Sequence, residues 1–533
     1  MRPAARFAVN AFSNWTQRAV AIGVGVVMMP YAIHHLGQTR YGVFGILGSL
    51  IGMLGLLDMG LSSGVSRFSS QDQAAGNLRA LRGVATVAQL LQGGVGVVGG
   101  TIIAFSPPWM ALFFNIDAHY YEELRLLSIC MAVSFCFSFL SVAPRGLIIG
   151  GNRYDLANAV DVAANLTRLA LLFILFESFK PSLFLFGIIY ATYDVMRYFL
   201  YWSLARFWVV KTKTFSVAEV SWDIVKRFGS FSAMNAIGVA GGMLMSQGPN
   251  FVVGKMLGPA MVTAFAPTLL VAGQLRAAVI GFVAPLLPLA GRNVATEGGA
   301  RLADWSVRFS RLACIMSLTI LVPVIAYARP IIGMWIGSDY EWTTPVFVIM
   351  SLSQLFASIQ VANYYLALGG GRIRPWAMTS FGAAATAVIL SALGTWLFGW
   401  GLLGVAIVVG VVIAGRTGIT LPLIACRDFG IARSVYFYQT YARPFVPAAL
   451  SFATAWGLRM AVYPSNPFIL LVEVLISTSV MAAGAWCWAL DVYDKNMLRE
   501  LIGSAKRRFH GKLEQSAETK VPNEASQGGE TNA

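Results

Sequence analysis

The sequence predicts an all-α polytopic membrane protein with about 14 transmembrane helices, arranged as two parallel six-helix repeats plus two extra helices. Three observations predict this class. Apolar windows of about 20 residues recur from the first residues to near Leu490, each long enough to cross a hydrocarbon layer about 30 Å thick as a helix. Basic residues gather in alternate loops, and marker residues repeat at a spacing near 220. Composition agrees, since 57% of the 533 residues are hydrophobic, 12% are charged and the mean hydropathy is +0.67, values far from those of a water-soluble chain. The first apolar stretch is too long for a signal peptide and lacks a small-residue cleavage pattern, so it is expected to stay as the first helix.

The windows start near residues 10, 41, 83, 124, 157, 182, 229, 260, 309, 343, 377, 399, 444 and 467. With the N-terminus inside, 28 of the 39 Lys and Arg residues fall on one side and six (Arg40, Arg125, Lys180, Lys255, Arg329 and Arg459) on the other. Positive charge is retained on the cytoplasmic side of membranes, so both termini are expected there. The same topology accounts for the net charge of +15. No basic run is interleaved with aromatics, and nucleic-acid binding is not expected.

The repeat is read from several matches in the same order. Asn14 and Leu36-Gly37 recur as Asn235 and Leu257-Gly258, shifted by 221; Pro108 and Asp117 recur as Pro330 and Asp339, shifted by 222. LIIGGNR (147–153) recurs as LALGGGR (366–372), and Arg197 as Arg416, both shifted by 219. Six spans per copy is an even number, so both copies enter from the same side, as in transporters that bind substrate between two lobes and rock around it. The expected organisation is an N-terminal lobe over 1–206, an inter-lobe linker over 207–228 and a C-terminal lobe over 229–426. Two further spans follow over 427–492, then a cytoplasmic tail over 493–533, amphipathic at first and polar at its end. The segments PPWMALFFNIDAHYYEE and RPIIGMWIGSDYEW read as short lids at the outer face.

Within the first span, Asn10, Asn14, Gln17, Arg18, Ala21 and Gly25 fall at helical spacing and share one face. An arginine at the centre of a span costs about 2.5–3.5 kcal/mol on insertion scales, so such residues face a wet cavity, a counter-ion or an anionic ligand. Arg18, Arg168, Arg276 and Lys255 are the candidate cavity cations, with Asn14, Gln17, Asn165 and Asn235 as polar partners. Asp161, Asn165 and Arg168 lie at i, i+4 and i+7 on one helical face; Asp194 and Arg197 lie at i and i+3. Asp58, Asp161 and Asp194 are candidates to carry a coupling H⁺ or Na⁺, and the alternative for the Asp194–Arg197 pair is a mutually neutral internal ion pair. Intramembrane charge counts five basic residues (Arg18, Arg168, Arg197, Arg276, Arg416) against four acidic (Asp58, Asp161, Asp194, Glu473), a balance that leans to anions. No cofactor, metal or catalytic residue is expected. The five cysteines show no CxxC or Cys/His spacing, and GPNFVVGKM (248–256) departs from a phosphate loop in its glycine spacing and in Met256.

The run MMPYAIHHLGQTRYGVFGILGSLIGMLGLLDMGLSSGVSRF, through Pro30, Leu36-Gly37, Tyr41-Gly42, LLDMGL around Asp58 and Arg67, resembles the opening of a known family. That family is the polysaccharide-biosynthesis flippases (O-antigen and exopolysaccharide) of the multidrug/oligosaccharidyl-lipid/polysaccharide exporter superfamily. RPIIGMWIGSDY is similar to the family's outer-face motif, and the six-plus-six repeat extends the likeness over about 490 residues. The resemblance implies a bacterial inner-membrane flippase, not an enzyme. It would move an undecaprenyl-diphosphate-linked oligosaccharide from the cytoplasmic to the periplasmic leaflet for surface polysaccharide, lipopolysaccharide or exopolysaccharide assembly. Its implied partners are the polyprenyl-diphosphate-linked oligosaccharide, membrane lipids and the glycan polymerase machinery. The other readings are a cation-coupled multidrug antiporter of the same superfamily, which would want an acidic cavity, and a membrane glycan polymerase or ligase, which would want a sizeable outer loop or an acidic catalytic cluster.

Overall fold

Fourteen helices of 14 residues or more run through the described part of the chain. The computed structural model describes residues 3–58, 76–210, 222–283, 301–370 and 374–496, with 65, 68–70, 72, 73, 286, 372 and 499 between and beyond them; side chains of 3–9, 11 and 208–239 are not described. Residues 211–221, half of the expected inter-lobe linker, and the tail beyond 499 fall outside the described residues.

The long helices are α1 (Pro3–Leu36), α2 (Gln38–Leu54), α3 (Leu78–Ala104), α4 (Tyr121–Leu140), α5 (Tyr154–Ser178), α6 (Leu183–Leu204) and α7 (Trp222–Leu257). The series continues as α8 (Pro259–Val283), α9 (Leu302–Ala326), α10 (Thr344–Ile359), α11 (Arg374–Phe398), α12 (Leu402–Gly415), α13 (Arg443–Ala461) and α14 (Pro467–Gly484). Local chemistry starts several of them. Asn77, Ser182 and Asn466 each accept a hydrogen bond from a backbone N–H three residues on, satisfying a donor that the first helical turn leaves open, and Pro467 follows at a position where its missing N–H costs nothing.

Twelve of the helical segments are long and apolar enough to cross a membrane, which makes the chain a multi-pass membrane protein. α7 and α13 are not among the twelve; α13 opens on Arg443-Pro444 and carries Arg459 in its last turn. Large apolar side chains such as Phe105, Leu112, Trp396, Phe398 and Phe468 are exposed around the outside, where lipid is their natural solvent.

Packing repeats along with sequence. α1 packs on α5, α3 on α4, α4 on α6 and α5 on α6; the same pairings recur as α7 on α11, α9 on α10, α10 on α12 and α11 on α12. Gly37 (φ 80°) turns α1 into α2, and Gly258 (φ 91°), 221 residues later, turns α7 into α8. Both positions lie in the left-handed region, where a Cβ is strained, so glycine is required twice at one place in the repeat. The short helix Pro107–Phe114 has its counterpart in Ala328–Trp335, and Val142–Gly150 has its counterpart in Val361–Gly369. The two expected lid segments hold the first of these pairs.

The two sets of six meet where α2 lies against α7 and α8. The contact is close at the end carrying Gly37 and Gly258. Thr263 Oγ1 donates there to the Gln38 carbonyl at 2.6 Å, and further along α2 Asn250 Nδ2 of α7 donates to Ser49 Oγ at 2.9 Å. A Cβ at Gly42 would lie 1.8 Å from the Pro259 carbonyl oxygen, so only glycine lets α2 approach this near. Trp335 Nε1 donates to the Val26 carbonyl at 2.8 Å, a further link between the two sets.

Beyond α14 the chain is tied back to α9. Fully buried Arg311 donates to Gln439 Oε1 at 2.7 Å and to Asp491 Oδ2 at 2.5 Å, and pairs also with the buried Asp494. Removing one member of such a pair strands a buried charge at a cost of about 3–5 kcal/mol. Arg311→Leu is therefore expected to lower the thermal unfolding midpoint of the detergent-purified protein markedly, and an unchanged midpoint would show that the tie carries no load.

Candidate functional site

The second set of helices encloses two adjoining hollows of about 370 and 290 Å³, a size suited to part of an organic ligand. α8 supplies Arg276 to both. Arg416, which also lines both, opens a widened π-type turn (Arg416–Thr420) at the end of α12; such turns re-aim side chains and cluster at functional sites. Neither guanidinium pairs with a carboxylate among the described residues, and neither hollow is lined by Asp or Glu. Arg416 Nη2 makes only a 3.4 Å contact to the Trp376 carbonyl, and its buried Nε has no acceptor. The indole Nε1 of Trp376, a ring 1% exposed at the cavity wall, has none either. An unsatisfied buried donor costs about 1–3 kcal/mol, so two of them beside two cations favour a ligand rich in acceptors.

The same cavity is lined by a pair of tyrosines and by one member of a buried polar network. Tyr364 and Tyr365 stand edge to face, 5.7 Å between ring centres. Gln360 lines the hollow while its amide donates to Tyr436 Oη at 3.2 Å and Tyr441 Oη at 3.0 Å. Asn363 Nδ2 donates to Gln360 Oε1 and to Tyr436 Oη, and Ser306 Oγ donates to Asn363 Oδ1. Burial pushes the Tyr436 phenol up to about 12, so this network keeps a neutral hydroxyl at its centre.

The first set of helices holds its intramembrane charges differently. Arg197 Nε donates to Asp161 Oδ1 at 3.1 Å and Nη1 to Asp194 Oδ1 at 3.0 Å. Tyr201 Oη donates to Asp161 at 2.7 Å, Ser134 Oγ to Asp194 at 2.6 Å, and Arg145 stands 3.7 Å from Asp161. The two acids proposed as ion carriers are thus buried and clamped by arginine. The third, Asp58, accepts from Gln92 Nε2 at 2.7 Å.

The other sequence-selected residues are dispersed. Arg168 bonds Asn165 Oδ1 at 3.0 Å and stacks on Tyr190 and Tyr193, 5.2 and 4.6 Å from the ring centres, on the α5–α6 pair rather than in the hollows. Arg18 donates to the carbonyl of Ala277, next to Arg276 in sequence, so α1 meets α8 at the depth of the cavity. Asn14 accepts from Asn158 Nδ2 at 2.5 Å, and Gln17 is half-buried on the same helix. Lys255 sits three residues before Gly258 with its ammonium over the Phe113 ring at 5.0 Å. Arg276 lies 18 residues beyond Gly258 on α8, about 27 Å along the helix, so Lys255 and Arg276 cannot hold one small group together. Asn235 is helical, and its side chain lies outside the described residues. Of the proposed cavity residues, then, Arg276 lines the hollows and Arg18 abuts its neighbour. Arg416, Trp376 and Gln360 were missed as cavity residues, although comparison of the two repeat copies carries a signal for Arg416.

Among solved structures, the fold is similar to an inward-facing multidrug-resistance MATE family transporter of the MOP superfamily (TM-score 0.64, 14% identity, 78% of this chain and 94% of that one). It is equally similar to the lipid II flippase MurJ in an inward closed conformation (TM-score 0.64, 13% identity, 92% of this chain and all of the other). The chain has the fold of MOP-superfamily transporters. A third structure of this fold is a MOP superfamily transporter from Pyrococcus furiosus described by a reverse polarity of its binding pocket (TM-score 0.51, 14% identity, 80% and 94% covered). No protein-family model and no curated protein matches the sequence. In this chain the two hollows are lined by Arg276 and Arg416 and by no Asp or Glu.

Proposed function

We propose that the chain is a flippase, not an enzyme, that moves an undecaprenyl-diphosphate-linked oligosaccharide from the cytoplasmic to the periplasmic leaflet of a bacterial inner membrane. Its two lobes, 1–206 and 229–426, would rock about the cavity, with the linker 207–228 and both termini in the cytoplasm, helices 13 and 14 over 427–492 and the tail over 493–533. The observation that carries this reading is the pair Arg276 and Arg416 facing one hollow that no carboxylate lines. A diphosphate is dianionic or more and offers many acceptor oxygens, which suits planar guanidinium donors, while Tyr364 and Tyr365 offer flat faces to a sugar ring. The polyprenyl tail can stay in hydrocarbon. The cation-coupled multidrug antiporter is the second reading, supported by the MATE likeness of the fold and opposed by the sign of the cavity. Coupling to H⁺ or Na⁺, and work alongside a glycan polymerase, are part of the proposal.

The test is the leaflet distribution of lipid-linked oligosaccharide in the source cells after depletion of the protein, with wild type restored. Accumulation on the cytoplasmic leaflet, cleared by wild type, is the expected result. Unchanged intermediates together with new sensitivity to cationic drugs would overturn it in favour of the antiporter.

A further inference from the structure

We infer that Arg416 is the group that binds the anionic head of the substrate, and that it became available because the second repeat copy lacks the acids that clamp its counterpart in the first. The inference rests on the flippase reading and assigns a diphosphate to one subsite of it. The shift of 219 that relates Arg197 to Arg416 also maps Asp161 onto Ser380, Asp194 onto Ile413 and Arg145 onto Tyr364. The same backbone position serves as acceptor in both copies: Tyr201 Oη donates to the Ala157 carbonyl, and the Arg416 guanidinium, one helical turn before the Tyr201 counterpart Thr420, contacts the carbonyl of Trp376, 219 positions on from Ala157.

In the first copy the charges of the cluster balance: Arg197 bonds Asp161 and Asp194, Tyr201 and Ser134 donate to the same two carboxylates, and Arg145 stands 3.7 Å from Asp161. In the second, Ser380, Tyr364 and Ile413 stand where two acids and a base stood, and all three line the hollows. An arginine retained while both of its acids are missing is a half-buried cation with no carboxylate partner among the described residues, costly in a membrane unless a ligand supplies the charge. Arg276 adds the second cation, and the orphaned donors Arg416 Nε and Trp376 Nε1 add hydrogen-bond capacity for oxygen acceptors. The head group is a diphosphate, its tail left outside the cavity.

The first copy also specifies the test. Ser380→Asp restores to the second copy the acid found at Asp161, at a site with an arginine ready to receive it. Ser380→Asn adds the same bulk without charge. With full-length protein in nanodiscs, the probes are undecaprenyl diphosphate in the bilayer and inorganic pyrophosphate in solution. Arg416→Gln and Ser380→Asp are expected to weaken undecaprenyl diphosphate binding by about 10- to 100-fold, the range of a lost charge-assisted contact, whereas Ser380→Asn stays within a few-fold of wild type. Equal affinity in Ser380→Asp and Ser380→Asn, or wild-type affinity in Arg416→Gln, would overturn the assignment. So would a wild-type protein that binds neither probe. Arg416-dependent binding of pyrophosphate without binding of the polyprenyl probe keeps the anion site and overturns the lipid substrate. Arg416-dependent binding of the lipid with an unchanged leaflet distribution in cells keeps the subsite and overturns the flippase.

Discussion

Arg197→Met is expected to cripple the protein by a purely structural route. The substitution leaves Asp194, 7% exposed, without its ion-pair partner and Asp161, 5% exposed, with only Arg145 at 3.7 Å. Stranding a buried carboxylate in this way costs about 3–5 kcal/mol, enough to deplete folded protein from the membrane. Charge is the cause, so the triple variant Arg197→Met, Asp161→Asn, Asp194→Asn should recover much of the unfolding midpoint, because no buried carboxylate is left to neutralise and Arg145, its side chain 41% exposed, can turn to solvent. The same triple variant tests the acids as ion carriers. If it both folds and transports, neither Asp161 nor Asp194 carries the coupling ion. If it folds and is dead while substrate binding persists, the acids do more than hold α5 to α6.

The second large effect is expected at Gly42. With a Cβ there placed 1.8 Å from the Pro259 carbonyl oxygen, Gly42→Leu cannot keep α2 seated on α8, and the end marked by Gly37 and Gly258 is forced apart. Further along α2, Ser49 is hydrogen-bonded to Asn250 of α7, so Ser49→Cys with Asn250→Cys, in a background cleared of the five native cysteines, should cross-link readily. Cross-linking should stop transport and reductant should restore it, since alternating access requires the two sets of helices to move against each other. Adding Gly42→Leu should abolish the cross-link while the protein remains in the membrane; efficient cross-linking in that variant would mean that Gly42 does not control how α2 seats on the second set of helices. Gly42→Ala, which adds only the Cβ, serves as the milder case if leucine prevents folding.

Much of the fold was legible because membrane insertion is governed by local, additive properties. A 20-residue apolar window is long enough to span wherever it packs, and a helix is found at each of the fourteen expected positions, twelve of them long and apolar enough to span. The repeat could be read from Gly37 and Gly258 since a left-handed turn accepts few residues but glycine, and the residue type therefore records the conformation. The LIIGGNR and LALGGGR motifs record the ends of the matching short helices. The candidate site was legible only in kind. Sequence identified intramembrane arginines as residues in need of a partner, but the choice of partner is a long-range matter.

Spacing placed Asp161, Asn165 and Arg168 on one face of α5, yet Asp161 bonds to Arg197 of α6 while Arg168 stacks on two tyrosines. Lys255 shares α7 with the cavity-lining Gly242 and Ser246 but sits at the helix end, over Phe113. The sequence by itself determined that the chain spans the membrane many times, in two similar halves, with unpaired positive charge left to account for. Only the tertiary structure decided which arginine is neutralised and which faces an open hollow, because that depends on how α5, α6, α11 and α12 meet, and Coulomb pairing at 3 Å is set by packing rather than by position along the chain.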